Sequence, residues 1–185
     1  VLSFFLETET MKTKFILITI LLTLIVSCGN VKKNDSSTEN SETTTYYLIR
    51  HSEKDRSNSE NRNPDLSTEG QQRAERWADY FSDKNIEAVY STNYNRTIQT
   101  ATPTAEANNL EIQFYDPTNM YDDAFIKETK GKNVLVLGHS NTTPQFANKL
   151  IGKNSYEDMD DTDNASLFIV TITGDNREVT VSKLD

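Results

Sequence analysis

Tyr46-Tyr47-Leu48-Ile49-Arg50-His51-Ser52 is an apolar run that stops abruptly at an Arg-His pair. A short continuous run of this kind reads as a buried strand. The chain has only two histidines, and the second ends a similar run, Val134-Leu135-Val136-Leu137-Gly138-His139-Ser140. Both histidines therefore stand just past the C-terminal end of a predicted strand. In open α/β sheets that edge is where ligands bind. A single histidine so placed is more often a hydrogen-bonded structural residue; two placed alike point to a functional pair.

Outward from these runs, strands and helices alternate. A strand over 45–50 is followed by a polar loop over 52–66. Leu66-Ser67-Thr68-Glu69-Gly70 opens a helix, with Ser67 or Thr68 as N-cap. It runs to about Lys84, and Ala74, Trp77, Ala78 and Phe81 recur at helical spacing. That spacing makes Trp77 a core residue. Ile86–Ser91 is a second strand. A helix over 93–108 contains Pro103, where it must kink or split. Leu110–Tyr115 form a third strand, 122–130 a short helix, and Lys132–Gly138 the fourth strand. Thr143-Pro144 starts another helix, with proline at the tolerated first position. Ala165–Thr173 and Arg177–Leu184 flank Gly174-Asp175-Asn176 as a hairpin. The pattern predicts an α/β fold, a three-layer α/β/α sandwich. Its central sheet is mostly parallel, with an antiparallel C-terminal edge hairpin.

The 185 residues suffice for one domain with a sizeable core. A net charge of -9 argues against a nucleic-acid partner, which needs a basic surface. The only cysteine, Cys28, rules out an intrachain disulfide and a Cys/His zinc site. No metal or other cofactor is expected. The acidic loop Glu157-Asp158-Met159-Asp160-Asp161-Thr162-Asp163 lacks the glycine and terminal glutamate of a calcium hand and reads as a solvated turn.

Residues 1–27 carry an export signal whose true start is expected at Met11. Lys12 and Lys14 precede an apolar core, Phe15 to Val26, of signal-peptide length. Leu24-Ile25-Val26-Ser27-Cys28 resembles a bacterial lipobox. The resemblance implies cleavage before Cys28 and lipidation of that residue. The domain would then be exported and held on a bacterial membrane, at the outer membrane or periplasmic face of the envelope. Residues 28–44 contain almost nothing apolar and read as a flexible tether, leaving 45–185 as the folded domain.

The chemistry starts from His51. No Gly-x-Ser-x-Gly elbow is present for it to serve as a base, but an imidazole is itself a nucleophile. Arg50 adjoins it. Arg96, in Ser91-Thr92-Asn93-Tyr94-Asn95-Arg96-Thr97, falls in the first turn of a helix on the same sheet edge. Arginine forks match phosphate oxygens, and a helix N-terminus adds N–H donors. Two histidines and two arginines at one edge suit phosphoryl transfer to histidine. The arginines spread oxygen charge and keep His51 neutral, and His139 bonds a phosphate oxygen.

Taken together, Arg50-His51, Leu66-Ser67-x-x-Gly70, Ser91-x-x-x-x-Arg96-Thr97-x-x-Thr100-Ala101 and Gly138-His139-Ser140 resemble the histidine phosphatase superfamily, in its phosphoglycerate-mutase-like branch, over residues 45–151. The resemblance implies metal-independent hydrolysis of phosphate monoesters through a phosphohistidine on His51, with Arg50, Arg96 and His139 binding the phosphoryl group. Substrates would be a phosphorylated small molecule or a phosphoprotein. Two departures stand out. Ser52 replaces the usual glycine, and the Leu-x-Glu that supplies a general acid in many members is missing after the third strand. Asp116 or Asp122 can substitute, and Asp122 can equally cap the next helix. Without an acid the chain resembles the short phosphohistidine phosphatases, an alternative reading beside a silent phosphate-binding domain.

Overall fold

The computed structural model describes residues 42–184. The expected signal peptide, Cys28 and most of the expected tether lie outside the described residues. The elements run β1 (Thr43–Arg50), α1 (Thr68–Phe81), β2 (Ala88–Ser91), α2 (Asn95–Ala107), β3 (Ile112–Phe114), α3 (Asp123–Thr129), β4 (Asn133–Gly138), α4 (Thr142–Ile151), β5 (Ser166–Thr173) and β6 (Asn176–Lys183). The first strand begins at Thr43, so the folded domain takes in two residues expected in the tether.

The strands form one sheet in the order β3-β2-β4-β1-β5-β6. β3, β2, β4 and β1 are parallel to one another, while β5 runs antiparallel to both β1 and β6. The expected mostly parallel sheet with an antiparallel edge is the observed one. Alternation within the buried strands loads both faces. Tyr46, Leu48, Val134 and Val136 face one core with Phe125 of α3 and Phe146 and Leu150 of α4. Tyr47, Ile49, Leu135 and Leu137 face the other with Trp77 and Phe81 of α1 and Ala101 and Ala105 of α2. Three layers follow, with Trp77 and Phe81 fully buried as their spacing required. Each large apolar side chain buried in this way stabilises by roughly 1.5–3 kcal/mol.

The element ends show where local rules yield. Ser67 is the N-cap of α1, its Oγ accepting from Gly70 N at 3.1 Å. α1 stops at Phe81 rather than Lys84, since no buried position follows Phe81 until Ile86. α2 does not split at Pro103; it is continuous to Ala107. Thr100, Ala101, Thr104 and Ala105 are buried around the proline, and packing of that face offsets one lost backbone hydrogen bond. Pro144 is the third residue of α4, not the first, because Asn141 is the N-cap; it still lies in the turn whose N–H groups need no intrahelical partner. Gly174, with φ +58°, opens the two-residue turn between Thr173 and Asn176.

Candidate active site

The topology carries the chain from β1 out to β2 and β3, then brings β4 back between β2 and β1. Register pairs Arg50 with Gly138, so the next residue on each strand is a histidine. The His51 and His139 rings lie 5.5 Å apart, centroid to centroid, at 65°. That separation lets both reach one tetrahedral anion.

His51 is 3% exposed. Its Nδ1 lies 2.7 Å from the carbonyl of Ser52. A carbonyl only accepts, so Nδ1 carries the proton and Nε2 presents its lone pair. Burial pulls the His51 pKa down to about 3, with Arg50, Arg96 and His139 adding to it against the Ser52 bond. The arginines thus act as expected, though dehydration is the larger cause. His139 is lowered to about 4, by burial first and then by Arg96, Arg50 and Lys54. Arg96 Nη2 stands 3.4 Å from His139 Nδ1 and can only donate, so the other ring nitrogen donates to Thr92 Oγ1 at 2.9 Å.

The two arginines are held differently. Arg50, 2% exposed, donates from Nη1 to the carbonyls of Asp160 and Asp163 at 2.9 and 3.2 Å. Its Nη2 meets Asp161 Oδ1 at 2.9 Å. The acidic loop is therefore more than a solvated turn: it closes on the guanidinium at the end of β1. Arg96 lies over the Tyr94 ring at 4.5 Å, and Tyr94 also stands edge-on to His139 at 5.1 Å. The Nε atoms of both arginines are buried with no protein partner.

The recurring small residues around this edge have visible tasks. A Cβ on Gly70 would stand 2.1 Å from the Glu53 carbonyl oxygen, which also accepts from Ser67 N at 2.9 Å. The start of α1 thus presses directly on the loop after His51. Thr100 Oγ1 accepts from Ser52 N at 2.9 Å and donates to the Arg96 carbonyl at 2.7 Å, tying the two motifs together. A Cβ on Gly138 would meet the hydroxyls of Thr142 and Thr143 at 2.8 Å. Asn164 Nδ2 bonds the His51 carbonyl at 2.8 Å.

His51 opens onto a cleft of about 290 Å³, also lined by Glu53, Lys54, Arg56, Asp161 and Asn164. Asp116 and Asp122 do not line it. They border a separate cleft of about 200 Å³ against Tyr90 and Phe125. Asp116 accepts from Thr118 N and Oγ1, and Asp122 caps α3 through Phe125 N at 2.8 Å. Lys54, Thr92, Tyr94 and Asp161 join the site from positions that no motif marks. Only the Lys54/Arg56 charges beside the Arg-His pair offered a signal. Among the described residues, no group of three or more His, Cys, Asp or Glu is placed to hold a metal ion.

Residues 46–117 match the family model of the histidine phosphatase superfamily (branch 1). The match ends before Gly138-His139-Ser140, which the fold brings beside its Arg-His pair. No curated protein matches the chain by sequence. Solved structures share the fold. The protein histidine phosphatase SixA complexed with tungstate has a TM-score of 0.60 at 17% identity, covering 75% of this chain and 96% of that one. Mycobacterial glucosyl-3-phosphoglycerate phosphatase gives 0.58 at 12%, covering 77% and 100%. Bacillus stearothermophilus YhfR gives 0.59 at 17%, covering 77% and 98%.

Proposed function

We propose that this protein is a histidine phosphatase that hydrolyses phosphate monoesters through a phosphohistidine on His51. The observation that carries the reading is the setting of His51: buried, its ring 5.5 Å from that of His139, its Nδ1–H held by the Ser52 carbonyl so that Nε2 keeps its lone pair. Nε2 attacks phosphorus as the P–O bond to the leaving group breaks. Water then attacks the same phosphorus, the P–N bond breaks, and inorganic phosphate leaves. Arg96 and the unpartnered Nε of Arg50 take equatorial oxygens, where charge develops, and His139 takes a third from Nδ1–H once the Thr92 hydroxyl donates to its Nε2. An oxyanion displaces the long Arg96–His139 bond.

The test uses the purified full chain and an aryl phosphate, with and without chelator, beside His51→Ala. Turnover that ignores chelator, vanishes in His51→Ala, and leaves an acid-labile, base-stable phosphoprotein on rapid quenching is the expected result. Chelator-sensitive turnover overturns the mechanism. Phosphate binding without turnover assigns a silent domain instead. The position of Asp116 and Asp122 outside the His51 cleft favours one second reading, a phosphohistidine protein phosphatase, whose nitrogen leaving group needs little acid. That reading requires turnover of a phosphohistidine peptide and none of an alkyl phosphate.

We propose further that the chain is exported and anchored to a bacterial membrane through acyl chains on Cys28. Radiolabelled palmitate should enter the protein in cells and be lost in Cys28→Ser. Equal labelling of both forms refutes it.

A further inference from the structure

A phosphate monoester needs more than a nucleophile and an oxyanion pocket: an alkoxide is a poor leaving group unless it is protonated as it departs. The family's carboxylate is missing from its expected place, and Asp116 and Asp122 serve another cleft. The donor must be sought among the groups that share the cleft with His51.

Most of those groups are already committed. Glu53 Oε1 is held by Arg73 Nε at 2.7 Å, and its Oε2 is buried with no partner; a carboxylate paired to a guanidinium accepts hydrogen bonds and has none to donate. Asp161 gives one oxygen to Arg50 and the other to Arg56, at 2.9 and 2.7 Å. Arg56 cannot surrender a proton. Glu69 is solvent-exposed on the first turn of α1 and makes no hydrogen bond that would aim it at the cleft. Lys54 is different. Its backbone is clamped: it bridges Leu66, while Ser67 N bonds the Glu53 carbonyl and Asp55 N bonds the Asp65 carbonyl at 2.8 Å. Its side chain is half-buried and lines the cleft. Among the described residues it has neither an ion-pair partner nor a side-chain hydrogen bond.

We propose that the Lys54 ammonium is the acid that protonates the leaving oxygen when His51 takes the phosphoryl group. This rests on the phosphatase reading above. One N–H bond of Lys54 breaks and an O–H bond forms on the departing alcohol as P–O breaks and P–N forms. The neutral amine then takes a proton from the water that hydrolyses the phosphohistidine, which restores the ammonium. The surroundings suit the task. Burial, then the charges of Arg56 and Arg96, and also Arg50, pull the Lys54 ammonium below the ordinary lysine value, against the Asp161 carboxylate. The cleft also presents His51 and the carboxylates of Glu53 and Glu69, His139 stands close enough to feel the Lys54 charge, and Asp55 and Asp65 flank the Lys54–Leu66 bridge. Lysine changes protonation state readily in such settings, whereas arginine keeps its charge.

The experiment compares p-nitrophenyl phosphate, whose leaving group is a stable anion, with ethyl phosphate, whose leaving group is not, in the wild-type full chain, Lys54→Met and Lys54→Arg. Thermal melts check that both variants fold. In both, kcat/KM on ethyl phosphate should fall by about 10²-fold or more, with a far smaller loss on the aryl ester. The basic limb of the ethyl phosphate pH profile should disappear. Rescue of ethyl phosphate turnover by arginine overturns the proposal, because charge alone would then suffice. Equal losses on both esters, or a wild type inert to ethyl phosphate, overturn it as well. Failure of the underlying phosphatase reading looks different: the wild type would not hydrolyse the aryl ester, or His51→Ala would still do so.

Discussion

Arg50, at the end of β1, is sealed under the loop of residues 160–163, with both Nη atoms bonded to it. Arg96, in the first turn of α2, lies half-buried across the Tyr94 ring, with one long bond to His139. Burying a guanidinium is costly unless carbonyls and carboxylates replace its water. Around the two Nη atoms of Arg50 they do, and the bonds join the first strand to a segment 110 residues further on. Around Arg96 the contacts are a ring face and one long bond to an imidazole nitrogen, both easily exchanged for an oxyanion. One cation fastens the site; the other is held ready in it.

That contrast can be broken by experiment. Arg96→Ala should reduce kcat/KM on an aryl phosphate by about 10²–10³-fold, while its melting curve moves little. Arg50→Ala should lose activity too, but with a stability loss of about 1–3 kcal/mol from the carbonyls left without a donor, read by urea unfolding. If the two variants melt alike, the distinction between fastener and ligand is wrong.

Acid should sharpen the contrast next. Both histidines have folded-state pKa values below 6.5, at about 3 and about 4, so the unfolded chain binds more protons as pH falls. Stability should be full above pH 6.5 and decline between there and pH 3, by at most about 1.4 kcal/mol per pH unit for each ring and less for His139, which is only partly buried. Because His51 stays neutral, turnover should persist well below pH 6.5 where the fold survives. Loss of kcat at pH 6.5 with a single histidine-like limb would contradict a buried nucleophile.

Gly70→Ala should cost about 1–3 kcal/mol as the added methyl pushes α1 off the Glu53 carbonyl. Because Glu53 and Lys54 share that loop, kcat should fall in parallel. The smallest effect belongs to Asp122→Ala. Loss of the α3 cap should cost about 1 kcal/mol, with aryl phosphate turnover unchanged. A large drop in kcat there would restore Asp122 as the acid.

Much of the site was legible because strand ends are local events. The Val134–Gly138 run stops where its apolar residues stop, and a histidine placed there must emerge at the sheet edge. Trp77 and Phe81 announced a buried helix face in the same way. Of the two outcomes expected at Pro103 in α2, a kink or a split, the split did not occur, because a helix packed on a core tolerates a missing hydrogen bond that an isolated one does not. The acidic loop offered no signal at all. A run of aspartates looks the same whether it faces water or a guanidinium contributed by a distant strand.

The chain's own pattern was enough to specify two buried strands ending in histidine, four helices among the described residues, and an arginine in the first turn of α2, since each depends on the periodicity of near neighbours. Only the tertiary structure decided that β4 inserts beside β1, that His51 is buried away from water, that Arg50 is clamped while Arg96 is not, and that Lys54 makes no ion pair among the described residues. Those outcomes depend on groups far apart in the chain meeting in a dehydrated space, and no stretch of sequence carries the distance between them.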